Sequence, residues 1–191
     1  MPRQMLAAWY DRIMETTIFP TVLGEFGIGW TEAGIARVQL PGLERDELER
    51  QINRGGARPG DPTRAVEAII NRIEDYAEGE VVDFSETPLD LEGLSEFNRR
   101  AYALLLEIGW GEVTTYGALA RQLGDVGLSR AVGAAMGANP IPLIIPCHRV
   151  LASDGRPGGF SAPGGAISKV RMLALEGVAV GAPAGQMSFG F

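Results

Sequence analysis

Between Ala131 and His148 the chain runs eighteen residues without a formal charge. That is long enough to cross a bilayer. Pro140, Pro142 and Pro146, together with Asn139, prevent it from forming one continuous helix. The stretch therefore belongs to a globular fold, and the rest of the chain agrees. Hydrophobic residues make up 46% and charged residues 21% of the sequence, which suits a packed protein and not a disordered one. Its 191 residues allow one domain or two small ones with ample length for a core.

The uncharged stretch ends on the only cysteine and the only histidine in the chain, Cys147 and His148. One cysteine cannot close an internal disulfide, which excludes a disulfide scaffold and predicts a reducing, cytoplasmic setting. One Cys and one His do not furnish a structural zinc site, so no metal and no cofactor are expected. The opening MPRQMLAAWYDR is too short in apolar residues to read as a signal peptide.

Charge is unevenly placed. Residues 1–94 hold 9 Arg against 18 Asp and Glu, a net −9, whereas residues 95–176 hold 8 Arg or Lys against 6 acids, a net +2. The overall −7 therefore does not exclude a polyanion partner for the second half.

Periodicity predicts a short helix or strand over residues 5–19. Val22–Trp30 and Ile35–Leu40 read as two strands around the turn Thr31-Glu32-Ala33-Gly34. A charged helix over Arg45–Arg54 and a loop over Gly55–Pro62 follow. Pro62–Tyr76 is an amphipathic helix that Asp61 could cap, with Val66, Ile69, Ile70 and Ile73 on one face. Val81–Phe84 reads as a further strand, and the polar Ser85–Gly93 as a domain boundary. Beyond it, Ser95–Gly109 is a helix capped by Ser95 and stopped by Gly109. Thr115–Leu123 and Ser129–Ala138 are two more helices, joined by a tight turn at Gly124–Leu128 in the helix-turn-helix pattern. Ile141–Ile145 is a short apolar strand or extended run, and Ile167–Leu175 is the last helix before a Gly/Ala-rich tail. The fold class is α+β, with an N-terminal α/β domain over 1–88 and a mostly helical C-terminal domain over 89–191.

Six of the eight residues from Ala131 to Ala138 are Ala or Gly. Such a face serves either close helix packing or close approach to another surface, such as a nucleic-acid groove. Arg130 opens that helix, where a cation opposes the macrodipole. Beside it in interest stands Cys147-His148. A thiol becomes a nucleophile when a base or a positive field lowers its pKa, and histidine is the side chain suited to that near neutral pH. Neighbours in an extended chain point to opposite sides, so a turn or a bridging water would be needed to join them.

Ile145-Pro146-Cys147-His148-Arg149-Val150 resembles the active-site signature of the O6-alkylguanine-DNA alkyltransferases, the methylated-DNA–protein-cysteine methyltransferases. Gly111-Glu112-Val113-Thr114-Thr115-Tyr116-Gly117 resembles that family's entry to its helix-turn-helix. Ser129-Arg130-Ala131-Val132-Gly133 resembles its recognition helix, Asn139-Pro140-Ile141-Pro142 the turn toward the cysteine, and Leu175-Glu176-Gly177 its closing Glu-Gly. These segments keep family order and spacing over about residues 89–178. The resemblance implies a winged-helix-like C-terminal domain behind a variable, ribonuclease-H-like N-terminal one.

It also implies single-use transfer of an alkyl group from O6-alkylguanine, with O4-alkylthymine as a further substrate, in double-stranded DNA entered through the minor groove by a monomer. Cys147 would accept the group. His148 would act as base through a water, polarised by Glu176. Tyr116 would stand by the phosphate and bond the base, Arg130 would fill the place of the flipped nucleotide, and Asn139 would hold the turn. The backbone around Val150 and Ser161 would line the guanine pocket, with Phe160 stacking there in place of the frequent tyrosine. The chain also departs from the family at Ala162-Pro163 and at Trp110, where proline is common.

Three other readings compete. A non-catalytic binder of alkylated DNA would lack the cysteine, which is present. A sequence-specific regulator would want polar base-reading side chains on the third helix, which offers mostly methyls and hydrogens. A cysteine hydrolase would turn over, whereas an alkylated thiol would not.

Overall fold

The computed structural model describes residues 13–180, so the part of the 5–19 prediction before Ile13 and the tail from residue 181 lie outside the described residues. From Glu15 the chain is strand. Three antiparallel strands, β1 (Glu15–Thr21), β2 (Gly24–Thr31) and β3 (Gly34–Gln39), form a meander. Helix α1 (Arg45–Ile52) crosses to a two-residue strand β4 (Arg58–Pro59), which pairs parallel with β1 and completes the order β3-β2-β1-β4. The loop predicted over 55–62 therefore holds one edge of the sheet. Glycine lets α1 sit close: a Cβ at Gly27 would stand 3.0 Å from Ile52 Cγ1.

Helix α2 (Arg64–Ala77) closes the apolar face of this sheet with Ile69, Ile70 and Ile73. Its cap is Thr63 and not Asp61. The Thr63 hydroxyl accepts from Val66 N at 3.3 Å, the reach of an N-cap side chain to the third helical residue. Val81–Phe84 is not a strand. Val82 and Phe84 are buried and Val81 is 76% exposed, so the period of two is present, but the segment pairs with no strand.

The second half is mostly helical. Helix α3 (Glu96–Leu106) is capped by Ser95, whose hydroxyl accepts from Asn98 N at 3.1 Å. It ends at Glu107 ahead of Gly109, whose N–H instead donates to Glu112 at 2.9 Å. A two-residue strand β5 (Thr114–Thr115) leads into α4 (Tyr116–Gln122), a 3₁₀ turn at Val126–Leu128, and α5 (Ser129–Gly137). β5 pairs parallel with β6 (Val150–Leu151), and α6 (Ala166–Leu175) follows. Ile141–Ile145 is a turn and not a strand. Leu143 is buried at φ 76°, and Ile145 N bonds back to Ile141 O at 2.9 Å.

One hydrophobic cluster runs from Ile28 and Ile73 through Tyr102 and Leu105 to Ile145 and Cys147. The first half reaches the second through backbone as well: Val38 N of β3 donates to Pro140 O at 2.9 Å, in the turn that precedes the cysteine. Thr63→Ala should cost about 1 kcal/mol of unfolding free energy, and Asp61→Ala within about 0.5 kcal/mol of zero, in chemical denaturation.

Candidate active site

Cys147, His148 and Arg149 form a single 3₁₀ turn after Pro146. Its backbone bonds are Cys147 N to Ile145 O at 2.8 Å and Arg149 N to Pro146 O at 3.0 Å. The turn matters because it removes the opposition of side chains that an extended Cys-His pair would have. All three side chains are buried.

Asn139 builds the approach to the thiol. Its Oδ1 accepts from Ile141 N at 3.0 Å, and its Nδ2 donates to Ile145 O at 2.9 Å and to Cys147 Sγ at 3.2 Å. One amide therefore fixes both ends of the 141–145 turn and donates to the sulfur. Burial pushes the Cys147 thiol up, while the Asn139 bond and the nearby Lys169 ammonium pull against that rise.

Behind the thiol lies a buried polar cluster. Glu176, at the end of α6, receives His148 Nε2 on Oε1 at 2.6 Å. Arg149 holds it in a fork, Nε on Oε2 at 2.8 Å and Nη2 on Oε1 at 3.0 Å, and also donates from Nη1 to Ile108 O. Burial would raise the Glu176 carboxyl, but the bonds from His148 and Arg149 outweigh it and hold the group at about 2. Since Glu176 is ionised, the proton of a neutral His148 must sit on Nε2. Burial lowers the His148 pKa, although Glu176 opposes it. Nδ1 is then a lone-pair acceptor, and it has no hydrogen-bond partner among the described residues.

In front of the thiol is a cavity of about 610 Å³. Tyr116, Arg130, Gly133, Cys147, Phe160 and Ser161 are among the residues that line it. Arg130 stands exposed in the first turn of α5. The small residues of that helix are accounted for by their surroundings. Val132, Ala135 and Met136 are buried, but Ala131, Ala134 and Gly137 are exposed, and a Cβ at Gly133 or Gly137 would meet nothing within 4 Å. The Ala/Gly face is an open, smooth surface, not a packing seam. Of the predicted site residues, Cys147, Tyr116, Arg130, Phe160 and Ser161 share this cavity. His148 and Glu176 lie behind it. Asn139 lines an adjoining cavity that also reaches Cys147. Val150 does not join the lining; it is fully buried, and its carbonyl accepts from Lys169 Nζ at 2.5 Å.

The sequence alone gives Lys169, Arg149 and Tyr76 no role. Lys169 is the only lysine in the chain. It is buried, with Nζ 5.7 Å from the Tyr116 ring centre and 6.0 Å from that of Phe160, close enough for cation–π attraction. A lone lysine in a chain of sixteen arginines was a signal available in the composition. Tyr76, on α2, donates its hydroxyl to Glu176 Oε1 at 3.1 Å; its contribution could not be seen without the fold.

Residues 96–178 match the family model of the DNA binding domain of 6-O-methylguanine DNA methyltransferase. A protein of Methanothermobacter thermautotrophicus named methylated-DNA–protein-cysteine methyltransferase is 32% identical over 157 residues, 82% of this chain and 81% of that one. The chain belongs to the methylated-DNA–protein-cysteine methyltransferase family. A mycobacterial methyltransferase, from Mycolicibacterium paratuberculosis, is 42% identical over 113 residues, and the match spans 66% of its length. The fold also follows the family. The crystal structure of Mycobacterium tuberculosis OGT in complex with DNA superposes with a TM-score of 0.71 at 29% identity, over 85% of this chain and 92% of that one. The O6-methylguanine-DNA methyltransferase of Pyrococcus kodakaraensis gives 0.66 at 28% identity, over 87% and 100%. This methyltransferase-family chain is thus α+β throughout its described residues.

Burial lowers the Lys169 pKa to about 8 from an ordinary 10.5. Relative to Lys169→Met, wild-type stability should therefore be lowest below pH 8 and should recover by about 3 kcal/mol as pH rises from 8 to 10.5. Denaturation midpoints of the two proteins across that range check the sign.

Proposed function

We propose that this chain repairs DNA by taking the alkyl group of O6-alkylguanine onto Cys147, once per molecule. The observation that carries the reading is the arrangement around one sulfur. Cys147 opens into a cavity, His148 beside it keeps Nδ1 as an acceptor, and its Nε2 proton is committed to an ionised Glu176. A base so oriented removes the thiol proton, directly or through a water, as an imidazolium stabilised by a carboxylate.

The thiolate sulfur then attacks the alkyl carbon. A carbon–sulfur bond forms and the carbon–O6 bond breaks. Its electron pair stays with the purine, which regains a proton on the ring. The product thioether has no acidic proton and no ready leaving path, and the chain has no second thiol to take the group away. The protein is consumed.

The alkylated oxygen lies inside a duplex, so the base must turn out of the stack to reach a sulfur at the bottom of a cavity. The exposed Ala/Gly face of α5 suits the narrow minor groove. Arg130, at the lip of the cavity, takes the place of the flipped base. Tyr116 bonds the base, while Phe160 and Ser161 enclose it. Lys169 supplies positive charge near the sulfur. O4-alkylthymine fits the same chemistry. The net +2 of residues 95–176, against −9 before them, directs DNA to the C-terminal domain of 89–191. A chain with one cysteine works unimpeded in the reducing cytoplasm, here as a monomer.

Excess methylated duplex should add one methyl group per chain by intact mass, mapped to Cys147, with no further uptake on long incubation. Repeated turnover, or a methyl group on another residue, overturns the mechanism. Cys147→Ser should lose at least about a hundredfold in transfer rate, because an alcohol is far less ionised than a thiol near neutral pH.

Arg130→Ala should slow transfer from duplex DNA by about tenfold or more while leaving transfer from free O6-methylguanine nearly unchanged, since only the duplex has a gap to fill. Equal losses on both substrates in single-transfer kinetics remove the intercalating role.

A further inference from the structure

Glu176 takes its hydrogen bonds from both halves of the chain. Oε1 accepts from His148, from Arg149 and from Tyr76, a residue one hundred positions earlier. Oε2 accepts from Arg149 and, at 3.5 Å, from Gly111 N. His148, Arg149 and Gly111 belong to the unit that carries the cysteine. Tyr76 does not: it is on α2, against the N-terminal sheet.

Its placement is fixed by packing. The Tyr76 ring meets Trp110 edge-on, with centroids 5.3 Å apart and planes at 71°, and it tilts against Phe84 at 6.4 Å. Arg72 lies over the far partner, Phe84, at 5.1 Å. Trp110 occupies the position where the family resemblance leads one to expect proline, so the ring that positions Tyr76 is itself a departure of this chain. Burial and the adjacent Glu176 carboxylate push the Tyr76 phenol far up, so its hydroxyl remains a donor at every working pH.

We propose that Tyr76 is a positioning residue through which the N-terminal half restrains the basicity of His148. The inference rests on the His148–Cys147 reading above. A carboxylate oxygen that also binds a phenol holds less negative charge available for the imidazole, and hydrogen bonds to a charged form weaken its demand for a proton. The groups facing this pair are His148, Arg149 and Tyr76 around Glu176, with Lys169 close enough for its charge to lower the His148 pKa. Of these, Tyr76 alone lies outside residues 95–178. With the hydroxyl in place, His148 draws the thiol proton less strongly, and Cys147 stays protonated until a base is seated. For an acceptor used once, that restraint keeps the sulfur from stray electrophiles.

The test uses iodoacetamide on the full chain, where Cys147 is the only thiol. Sulfur–carbon bond formation expels iodide, and the thiol proton leaves to solvent. In Tyr76→Phe, which keeps the ring against Trp110 and Phe84, the pH midpoint of alkylation should fall by about half to one unit. The rate near pH 7 should rise by about three- to tenfold. Tyr76→Met should shift the same way, which guards against misfolding of either variant. The Nε2 proton of the sole histidine should move further downfield by NMR as its bond to Glu176 strengthens. A midpoint that stays or rises in the folded variants, or an unmoved Nε2 proton, overturns the role of Tyr76. Because iodoacetamide needs no DNA, that result is separate from failure of wild-type protein to take a methyl group from duplex, which would reject the proposed function instead.

Discussion

The rest of the site depends on a buried carboxylate. Glu176 is 3% exposed, and an isolated anion at that depth would cost several kcal/mol. It is tolerated because Arg149 forks onto both oxygens while His148 and Tyr76 complete Oε1. Each partner gains from the same arrangement. The carboxylate selects the tautomer of His148, neutralises the buried guanidinium, and gives the α2 phenol an acceptor. Removing the carboxylate would leave the other three polar, buried and short of a partner. The C-terminal end of α6, the cysteine turn and the N-terminal helix are thereby tied to one point.

That convergence explains what could and could not be read from the sequence. The Cys147–His148 pair, the helix-turn-helix over 116–137 and the cap at Ser95 are local patterns, and local spacing carries them. The cap of α2 was misplaced from Thr63 to Asp61 because two good capping residues lie within three positions, and only backbone direction chooses between them. Val81–Phe84 has the alternation of a strand but pairs with none, and alternation reports burial on two sides, not ladder formation. The turn at 141–145 looked extended because its apolar residues all face the core, and the left-handed Leu143 leaves no trace in composition. Tyr76 meets Glu176 across one hundred residues, a distance no local pattern spans.

The α5 helix shows how one short element serves two surfaces. Val132, Ala135 and Met136 bind it to the core, and Tyr102 donates to the Ala135 carbonyl at 2.8 Å. On the other side, methyls and bare backbone lie open beside Arg130. A helix that presents so little side chain gains its place from the buried side alone. Its exposed side is free to be shaped for contact, and the turn that follows it leads through Asn139 to the sulfur.

Sixteen of the seventeen basic side chains are arginines, and the one lysine is sealed beside the one cysteine and the one histidine. Guanidinium groups do not titrate under ordinary conditions, and carboxylates have finished titrating well below neutrality. The two side chains whose ordinary values lie between about pH 6 and 9, the one histidine and the one cysteine, thus share one interior cluster with the lysine that burial brings to about 8. The surface keeps a constant electrostatic field over that range while the centre responds. Proton uptake measured on the whole molecule would then be a direct readout of its reactive centre, with almost no background from the exterior.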